Sequence, residues 1–332
     1  MSEEVRAMEE DTRKITKRDR QINVVFNNQE PPAAQMIEIN GKTIPAHLET
    51  FSDIFKELDG MIGLEDVKEL IFQIYAVLQI KQFRTEAGLH AGSHVYHMIF
   101  KGNPGTGKTT VARIVAKLFK SMGVLSKGHL IEVERADLVG EYIGHTALKT
   151  REMVKKALGG ILFIDEAYSL ARGGEKDFGK ESIDCLVKAM EDHKNDFILI
   201  LAGYPDEIDH FLQTNPGLPS RFPIQVDFPD YQVDQLIKIS EKMASEREYV
   251  LMPETIKKIK EHLYIQKLTE LHFSNARYVR NLIEKAIRYQ AVRLLSKAQK
   301  PNKQDLMNLL PQDFNLCEDQ LTNPFRKKQI GL

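Results

Sequence analysis

A glycine-rich loop at residues 102–109 lies between a strand-like apolar run and an amphipathic helix pattern. The loop has the sequence Gly-Asn-Pro-Gly-Thr-Gly-Lys-Thr and matches the phosphate-binding pattern GxxxxGK followed by Ser or Thr at every fixed position. Residues 95–100 before it are mostly apolar, and Val111, Ile114 and Leu118 after it recur at helical spacing. A loop that ends at a helix N-terminus points successive N–H groups at an anion. The sequence therefore predicts an α/β fold with a phosphate-binding loop after a buried strand.

Each residue of this loop is a candidate for nucleotide binding. The glycines let the backbone bend toward phosphate oxygens, Lys108 is expected to reach the β- and γ-phosphates, and the hydroxyl of Thr109 to bind magnesium. The alternative is a glycine-rich turn that carries a lysine by chance, which the strand and helix on either side disfavour. The predicted nucleotide-binding residues of the loop are Gly102, Asn103, Pro104, Gly105, Thr106, Gly107, Lys108 and Thr109.

Two adjacent carboxylates follow the apolar run at residues 161–164. Asp165 and Glu166 end a predicted buried strand, at the sheet edge where open α/β sheets bind ligands. Asp165 fits a carboxylate on the magnesium side of a site, and Glu166 fits a general base that polarises the attacking water. Carboxylates often end strands without such a role, but together with the upstream loop this pair predicts a site that hydrolyses a nucleoside triphosphate.

Strand-like runs alternate with helical patterns in the middle of the chain, and after residue 229 only helical periodicity continues. Several runs lack in–out alternation, which is typical of a parallel sheet covered on both faces. The predicted strands are residues 95–100, 129–133, 161–164, 197–202 and 224–228. The predicted organisation is a weakly structured N-terminal extension with a short hairpin (1–50), an α/β domain with a five-stranded parallel sheet (51–229), a small all-α domain (230–300) and a peripheral C-terminal tail (301–332).

Net charge and cysteine content narrow the classes of partner and compartment. The 46 basic and 47 acidic side chains nearly cancel, whereas nucleic-acid-binding domains usually carry a basic excess, so nucleic acid is disfavoured as a partner. Two cysteines cannot build a disulfide framework, and the polar N-terminus lacks the apolar stretch of a secretory signal. The longest apolar runs are strand-sized, too short to span a membrane. We expect a cytoplasmic protein without a membrane segment.

Further motifs make the chain similar to the AAA+ ATPases. The loop and the Asp165–Glu166 pair resemble Walker A and Walker B of this family, and the helical region lies where the family has its lid domain. Five segments resemble the subgroup that contains the red-type Rubisco activase, namely residues 138–146 (LVGEYIGHT), 165–170 (DEAYSL), 215–218 (NPGL), 227–231 (DFPDY) and 275–281 (NARYVRN). The resemblance covers about residues 55–295.

This resemblance implies a function as well as a fold. It implies that the protein hydrolyses ATP with Mg²⁺, forms a hexameric ring, and remodels or partly threads a protein client. Within the subgroup the likeness is greatest to a protein of bacterial spore formation, which implies a role there. One alternative is a nucleic-acid-dependent ATPase of the helicase or loader type. Another is a switch or kinase acting on a small molecule, for which the sequence offers no acceptor site.

The resemblance also assigns roles outside the two main motifs. Arg221 occupies the position of the arginine finger that reaches the nucleotide of a neighbouring subunit; the alternative is a surface arginine before the last strand. Arg277 occupies the position of the sensor 2 residue of the lid, with Arg280 one helical turn away as the alternative. Ile62 and Gly63 resemble the segment that packs against adenine.

Tyr142 resembles the pore-loop aromatic residue that grips a threaded polypeptide in AAA+ remodellers. An aromatic residue between polar residues and Gly144 has no evident core to join, and the alternative is a buried tyrosine. Residues 172–179 form either a second pore-facing loop or a solvated one. The polar sensor 1 residue of the family is not matched, because the sequence after the fourth strand is Gly-Tyr-Pro, where Tyr204 is the candidate.

Overall fold

The computed structural model describes two units of the chain. Residues 49–315 are described except for 93, 143, 174–177, 214–216, 271 and 297–299, together with the backbone of four short strands before residue 46. The two units are Met1–Asp53 and Ile54–Leu332.

The N-terminal unit contains two antiparallel strand pairs. These are β1 (Thr16–Arg18) with β2 (Gln21–Asn23), and β3 (Met36–Ile39) with β4 (Lys42–Pro45). The register of β3 and β4 pairs Ile39 with Lys42, so that the two strands form the kind of short hairpin expected in the extension.

A five-stranded parallel sheet forms the centre of the second unit, as predicted. Its strands are β5 (Met98–Gly102), β6 (Leu130–Val133), β7 (Ile161–Ile164), β8 (Ile198–Gly203) and β9 (Ile224–Phe228). Their order in space is β6-β7-β8-β5-β9, and every neighbouring pair is parallel. Because β5 and β7 both neighbour β8, the glycine-rich loop after β5 and the carboxylates after β7 emerge at one edge of the sheet.

The strand before the glycine-rich loop is shorter than predicted. It begins at Met98 instead of residue 95, and Val95 exposes 38% of its surface. His97 is buried just before the strand, and its Nδ1 accepts the backbone N–H of Leu199 at 3.0 Å. The imidazole therefore occupies a position where a backbone carbonyl would extend the sheet. Burial lowers the pKa of His97 to about 4, so the ring is neutral at pH 7.

Helices lie before and between these strands, and several of them pack on the sheet. They are α1 (Glu49–Asp59), α2 (Glu65–Glu86), α3 (Lys108–Ser121), α4 (Arg135–Leu138), α5 (His145–Ala157), α6 (Gly179–Asp192) and α7 (Pro205–Gln213). Helix α3 packs on β6 and β7, and Val111, Ile114 and Leu118 on its predicted apolar face are at most 1% exposed. All four residues of β7 are equally buried. Each such side chain stabilises the fold by about 1.5–3 kcal/mol.

The described chain after β9 is mainly helical. Helices α8 (Val233–Ser245), α9 (Pro253–Thr269) and α10 (Asn275–Leu295) pack together, with α8 in contact with both others. A mainly helical region therefore follows the sheet, as predicted, but it is not all-α, because residues 250–251 form a short strand. The domain boundaries at residues 50, 229 and 300 stay predictions. None of the described helices is long and apolar enough to cross a membrane.

The expectation of a peripheral tail is wrong for residues 302–315. Helix α11 (Lys303–Met307) leads into strand β11 (Asn308–Leu309), which pairs in parallel with β10 (Val250–Leu251). Phe314 is 1% exposed, and the buried carboxylate of Asp313 accepts hydrogen bonds from the Arg293 guanidinium at 2.6 and 2.8 Å. Leu309, Asp313 and Phe314 thus belong to the core of the helical region. Burial of the apolar side chains is favourable, and the pairing of Asp313 with Arg293 offsets the cost of taking its charge out of water.

Candidate nucleotide-binding site

A cavity of about 960 Å³ lies where three central strands of the sheet end. Gly102, Asp165 and Gly203, at or just after the ends of β5, β7 and β8, belong to its wall, and residues of α8 and α10 complete it. This is the edge at which open α/β sheets bind ligands. Seven of the ten predicted nucleotide-binding residues line the cavity, namely Ile62, Gly102, Pro104, Gly105, Gly107, Lys108 and Thr109.

The other three predicted residues shape the cavity without lining it. Thr106 is fully buried, and its Oγ1 donates a hydrogen bond to the carbonyl of Asn103 at 2.8 Å. Gly63 has a φ of +67°, and a Cβ there would lie 2.6 Å from the Nε2 of Gln235. The hydrogen bond between Thr106 and Asn103 thus holds the glycine-rich loop in shape, and Gln235 leaves no room for a side chain at residue 63.

Gly105 shows why the loop depends on glycine. Its φ is +72°, and a Cβ would lie 2.3 Å from the carbonyl oxygen of Ser274 and 2.7 Å from the backbone nitrogen of Arg277. The backbone of the loop therefore touches the start of α10. The last two residues of the loop, Lys108 and Thr109, begin α3, and both line the cavity. Unpaired N–H groups at such a helix end favour an anion.

Lys108 is held at the base of the cavity in a buried position. Its Nζ donates hydrogen bonds to the carbonyls of Gly102 and Asn103 at 2.8 and 2.9 Å. Burial lowers the pKa of Lys108 to about 8, and the carboxylate of Asp165 opposes that shift while Arg277 adds to it. The ammonium is therefore still charged at pH 7, and it lies between carbonyl oxygens that a phosphate can replace.

Asp165 and Glu166 follow β7 directly into the cavity wall. Glu166 has a φ of +47°, a left-handed conformation that turns the chain sharply after the strand. Its N–H donates to Oδ1 of Asp165 at 3.0 Å. Both carboxylates line the same cavity as Lys108 and Thr109. The structure thus brings together the two motifs that were predicted to meet.

Tyr204 is the polar side chain that follows β8 in the cavity wall. Its ring centroid lies 5.9 Å from that of Tyr168 and 5.3 Å from that of His272. The strand it follows lies between β5 and β7, so Tyr204 emerges between the glycine-rich loop and the two carboxylates.

The helical region supplies a second group of cavity residues. Arg277 and Arg280 both line the cavity, and the backbone of Arg277 lies against the glycine-rich loop, since its nitrogen is 2.7 Å from where a Cβ of Gly105 would be. Its charge adds to the lowering of the pKa of Lys108. Lys242, Met243 and Glu246 of α8 also line it. Sequence reasoning missed these three, because their spacing is that of any amphipathic helix and no local motif distinguishes them.

Helix α4 connects the cavity to the Tyr142 loop, and sequence reasoning missed this connection too. Arg135 in α4 lines the cavity, and its Nη1 donates to the carbonyl of Ser169 at 2.6 Å. Helix α4 ends at Leu138, four residues before Tyr142. Tyr142 is 65% exposed, and its ring contacts His145 at 5.5 Å between centroids. The alternative of a buried tyrosine is therefore wrong.

Arg221 lies outside the cavity wall. Its Nη1 donates to the carbonyl of Gly217 at 2.6 Å, and its Nη2 forms an ion pair with Glu191 of α6. The side chain is 28% exposed, and its Nε is buried with no hydrogen-bond partner among the described residues. The structure does not bring Arg221 to the nucleotide cavity of its own chain.

Comparison with known proteins agrees with this geometry. Residues 98–230 match the family described as ATPase family associated with various cellular activities (AAA), and residues 232–324 match the AAA lid domain. Stage V sporulation protein K of Bacillus subtilis is 61% identical over 269 residues, which cover 80% of this chain and 83% of that protein. The chloroplastic ribulose bisphosphate carboxylase/oxygenase activase of Cyanidioschyzon merolae is 43% identical over 268 residues, 80% of this chain and 90% of the other.

Solved structures show the same fold. The FIGL-1 AAA domain in complex with ADP superimposes with a TM-score of 0.54 at 18% identity, covering 80% of this chain and 81% of that one. Since the family models match both the ATPase domain and the lid, and the two named relatives are 61% and 43% identical over 80% of this chain, the chain belongs to the AAA+ ATPases, in the group of stage V sporulation protein K and the Rubisco activases. It therefore binds and hydrolyses ATP.

Proposed function

We propose that this ATPase forms a hexameric ring in the cytoplasm that uses ATP hydrolysis to remodel or partly thread a protein client, in bacterial spore formation. The similar protein of Bacillus subtilis supports a role in spore formation, because it is a stage V sporulation protein. The observation that carries the proposal is the exposed Tyr142, on a loop that continues from a helix in the ATP cavity wall.

The cavity residues divide the hydrolysis reaction among them. Lys108 exchanges its two carbonyl partners for β- and γ-phosphate oxygens, and Glu166 accepts the proton of the attacking water. The hydroxyl of Thr109 and the carboxylate of Asp165 are hard oxygen ligands in one cavity wall, the donor set that Mg²⁺ takes. When bound, Mg²⁺ supplies positive charge that offsets the charge on the phosphate oxygens. Tyr204 serves as sensor 1.

Two arginines act from different subunits in this proposal. Arg277 contacts the γ-phosphate within its own chain, since it lines the same cavity as Lys108. Arg221 acts on the ATP of the neighbouring subunit. Two observations support this role: Arg221 is absent from the wall of its own cavity, and its side chain is 28% exposed and paired with Glu191. A ring is the closed arrangement in which every such head-to-tail contact is satisfied. Ile62 and Gly63 hold the adenine.

Coupling to a client follows from the position of α4. Arg135 donates to the carbonyl of Ser169, which follows Glu166 by three residues, so a change at the γ-phosphate side of the cavity moves α4. The loop with Tyr142 then moves with it. An exposed aromatic side chain gains binding energy from apolar and peptide groups of any polypeptide, without sequence preference.

A client trap tests this function. The Glu166→Gln variant should bind ATP without hydrolysing it and should therefore retain its client. Proteins from sporulating cells that bind this variant in the presence of ATP are quantified by mass spectrometry. Adding Tyr142→Ala should remove the same set of proteins, while the matched control Tyr142→Phe, which keeps the ring, should retain them. Capture that is equal with alanine and phenylalanine would refute the pore-loop role. ATPase stimulation by single-stranded DNA would favour the nucleic-acid-dependent alternative.

A further inference from the structure

Asn275, the first residue of α10, occupies an unusual position for an asparagine. It is fully buried and has a φ of +46°, in the left-handed region that asparagine tolerates better than most residues other than glycine. Arg277 follows it by two residues on the same helix. The conformation of Asn275 therefore decides the direction in which α10, and with it Arg277, leaves the preceding loop.

The side chain of Asn275 binds the segment that joins the sheet to the helical region. Its Oδ1 accepts the backbone N–H of Tyr231 at 3.0 Å, and its Nδ2 donates to Oδ1 of Asp230 at 2.8 Å and to the carbonyl of Phe273 at 2.9 Å. A longer contact of 3.4 Å joins Nδ2 to the carbonyl of Pro104 in the glycine-rich loop. Both ends of the amide are thus used.

The same cluster binds the glycine-rich loop from the other side. Asp230 accepts hydrogen bonds from Nδ2 of Asn103 at 3.0 Å on each carboxylate oxygen. The backbone N–H of Ala276 donates to the carbonyl of Gly105 at 3.2 Å, and the hydroxyl of Tyr231 donates to the carbonyl of Thr106 at 3.1 Å. The phosphate-binding loop is consequently bonded, through one buried cluster, to the start of the helix that carries Arg277.

We propose that Asn275 is a positioning residue for ATP binding, which fixes α10 against the glycine-rich loop and thereby holds Arg277 at the phosphate end of the cavity. The proposal rests on the assignment of this cavity to ATP and of Arg277 to the γ-phosphate. Asparagine suits the task because it combines three properties. It adopts the left-handed conformation, it accepts one hydrogen bond, and it donates to a carboxylate from the same amide group.

Single substitutions at Asn275 separate these properties. Asn275→Gly keeps the backbone conformation and removes every side-chain bond. Asn275→Asp keeps the size and the acceptor for Tyr231, but it turns a carboxylate oxygen toward Asp230, and two like charges repel. Both should free α10 to leave the loop, which lowers the fraction of molecules whose lid is competent to bind. ATP affinity should therefore fall by about tenfold, the effect of losing one hydrogen bond to a charged group.

A double-mutant cycle with Arg277→Ala tests whether Asn275 acts through that arginine. All proteins carry Glu166→Gln so that ATP is bound without turnover, and Lys108→Ala serves as the control for binding at this cavity. Asn275→Gly should weaken ATP binding about tenfold when Arg277 is present and by no more than about twofold when residue 277 is alanine. The effects do not add, because each substitution removes the same contact between Arg277 and the nucleotide. Thermal unfolding of the nucleotide-free proteins should show additive changes.

The outcomes are distinct. Losses of affinity that add up in full across the cycle, or an Asn275→Gly protein that binds ATP as tightly as the parent, would overturn the positioning role. If Lys108→Ala bound ATP normally, the cavity assignment itself would be wrong. Should Asn275→Gly prove too unstable to purify, the cycle is measured with the isosteric Asn275→Asp, for which the same two results are decisive.

Discussion

Two short segments of the chain each carry a positively charged side chain with a proposed role in hydrolysis, and the two side chains lie in opposite positions relative to the ATP cavity. The first, residues 102–109, is the ATP cradle; the second, residues 217–222, is the finger segment that contains Arg221. Lys108 of the cradle lies in the cavity, is buried, and has two carbonyl partners within its own loop. Arg221 of the finger segment lies outside that cavity, and it is paired with Glu191 on the far end of α6.

In the proposed ring, this difference distinguishes the part of the site that one chain provides from the part that a neighbouring subunit provides. The cradle has its strand, its helix N-terminus and its buried ammonium in a single segment, so each chain can bind ATP. The finger segment presents a guanidinium with one ion-pair partner and a buried Nε that has no partner among the described residues. Such an arrangement is suited to exchange one anionic partner for another when a second subunit brings its phosphates close.

Among the variants that keep ATP binding, Arg221→Ala is expected to have the largest effect on hydrolysis. A finger that stabilises transition-state charge contributes about 10³-fold or more in switch GTPases, and we expect a loss of about 10³ in kcat here. ATP affinity should stay close to the wild type, because the cradle is intact. Glu191→Gln is the matched control: it breaks the same ion pair but keeps the guanidinium, so hydrolysis should remain. Equal losses in both variants would mean that Arg221 only supports α6.

Mixing inactive proteins sharpens this result. Arg221→Ala and Lys108→Ala subunits in one ring pair an intact cradle with an intact finger at some boundaries, so part of the ATPase activity should return. Native mass spectrometry establishes that mixed rings have formed. Mixed rings without recovered hydrolysis would show that Arg221 does not act across the subunit boundary. Its position outside the cavity would then have no role in hydrolysis.

A smaller loss of kcat is expected at Glu166, and it distinguishes the role of Glu166 in hydrolysis from the role of Lys108 in ATP binding. Glu166→Gln should lower kcat by about 10² or more, the usual contribution of a general base, with ATP binding retained. Lys108→Ala should instead abolish binding, because its ammonium is the buried positive charge at the base of the cradle. Equilibrium binding of a fluorescent ATP analogue together with single-turnover kinetics measures both quantities. Loss of binding in both variants would contradict the division of roles.

The smallest predicted effect is a pH dependence of ATP affinity. The pKa of Lys108 lies at about 8, below its ordinary value of 10.5, because the side chain is buried. As pH rises above 8 the free protein loses this charge, so the Kd for ATP should rise, by up to about tenfold per pH unit. The Glu166→Gln protein measured from pH 7 to 9.5 tests this, with Glu166→Gln/Lys108→Arg as the control, whose guanidinium keeps its charge over this range and whose Kd should not follow pH in the same way. A constant Kd in the former would mean that Lys108 is not desolvated.

The parts of the candidate site that lie where the sequence predicted them are those with a fixed local pattern. The glycine-rich loop, the two carboxylates after β7 and the five strands all have spacing that the backbone itself dictates. Sequence reasoning failed where distant segments meet. It extended β5 to residue 95 because it had no means of knowing that the ring of His97 replaces a sheet hydrogen bond from β8. It also predicted that residues 302–315 belong to a peripheral tail, although Phe314 is buried in the core of the helical region.

By itself the sequence determined that this chain builds a phosphate cradle on a parallel sheet, because glycine, lysine and apolar residues at set intervals permit few other conformations. Only the tertiary structure decided which residues face that cradle. Lys242 and Arg277 enter the cavity, and Arg221 stays outside it, through the packing of helices that lie more than a hundred residues from the loop. Such contacts depend on long-range packing, which leaves no periodic signature in the chain. The buried cluster around Asn275 is the clearest case, since its hydrogen bonds join residues 171 positions apart.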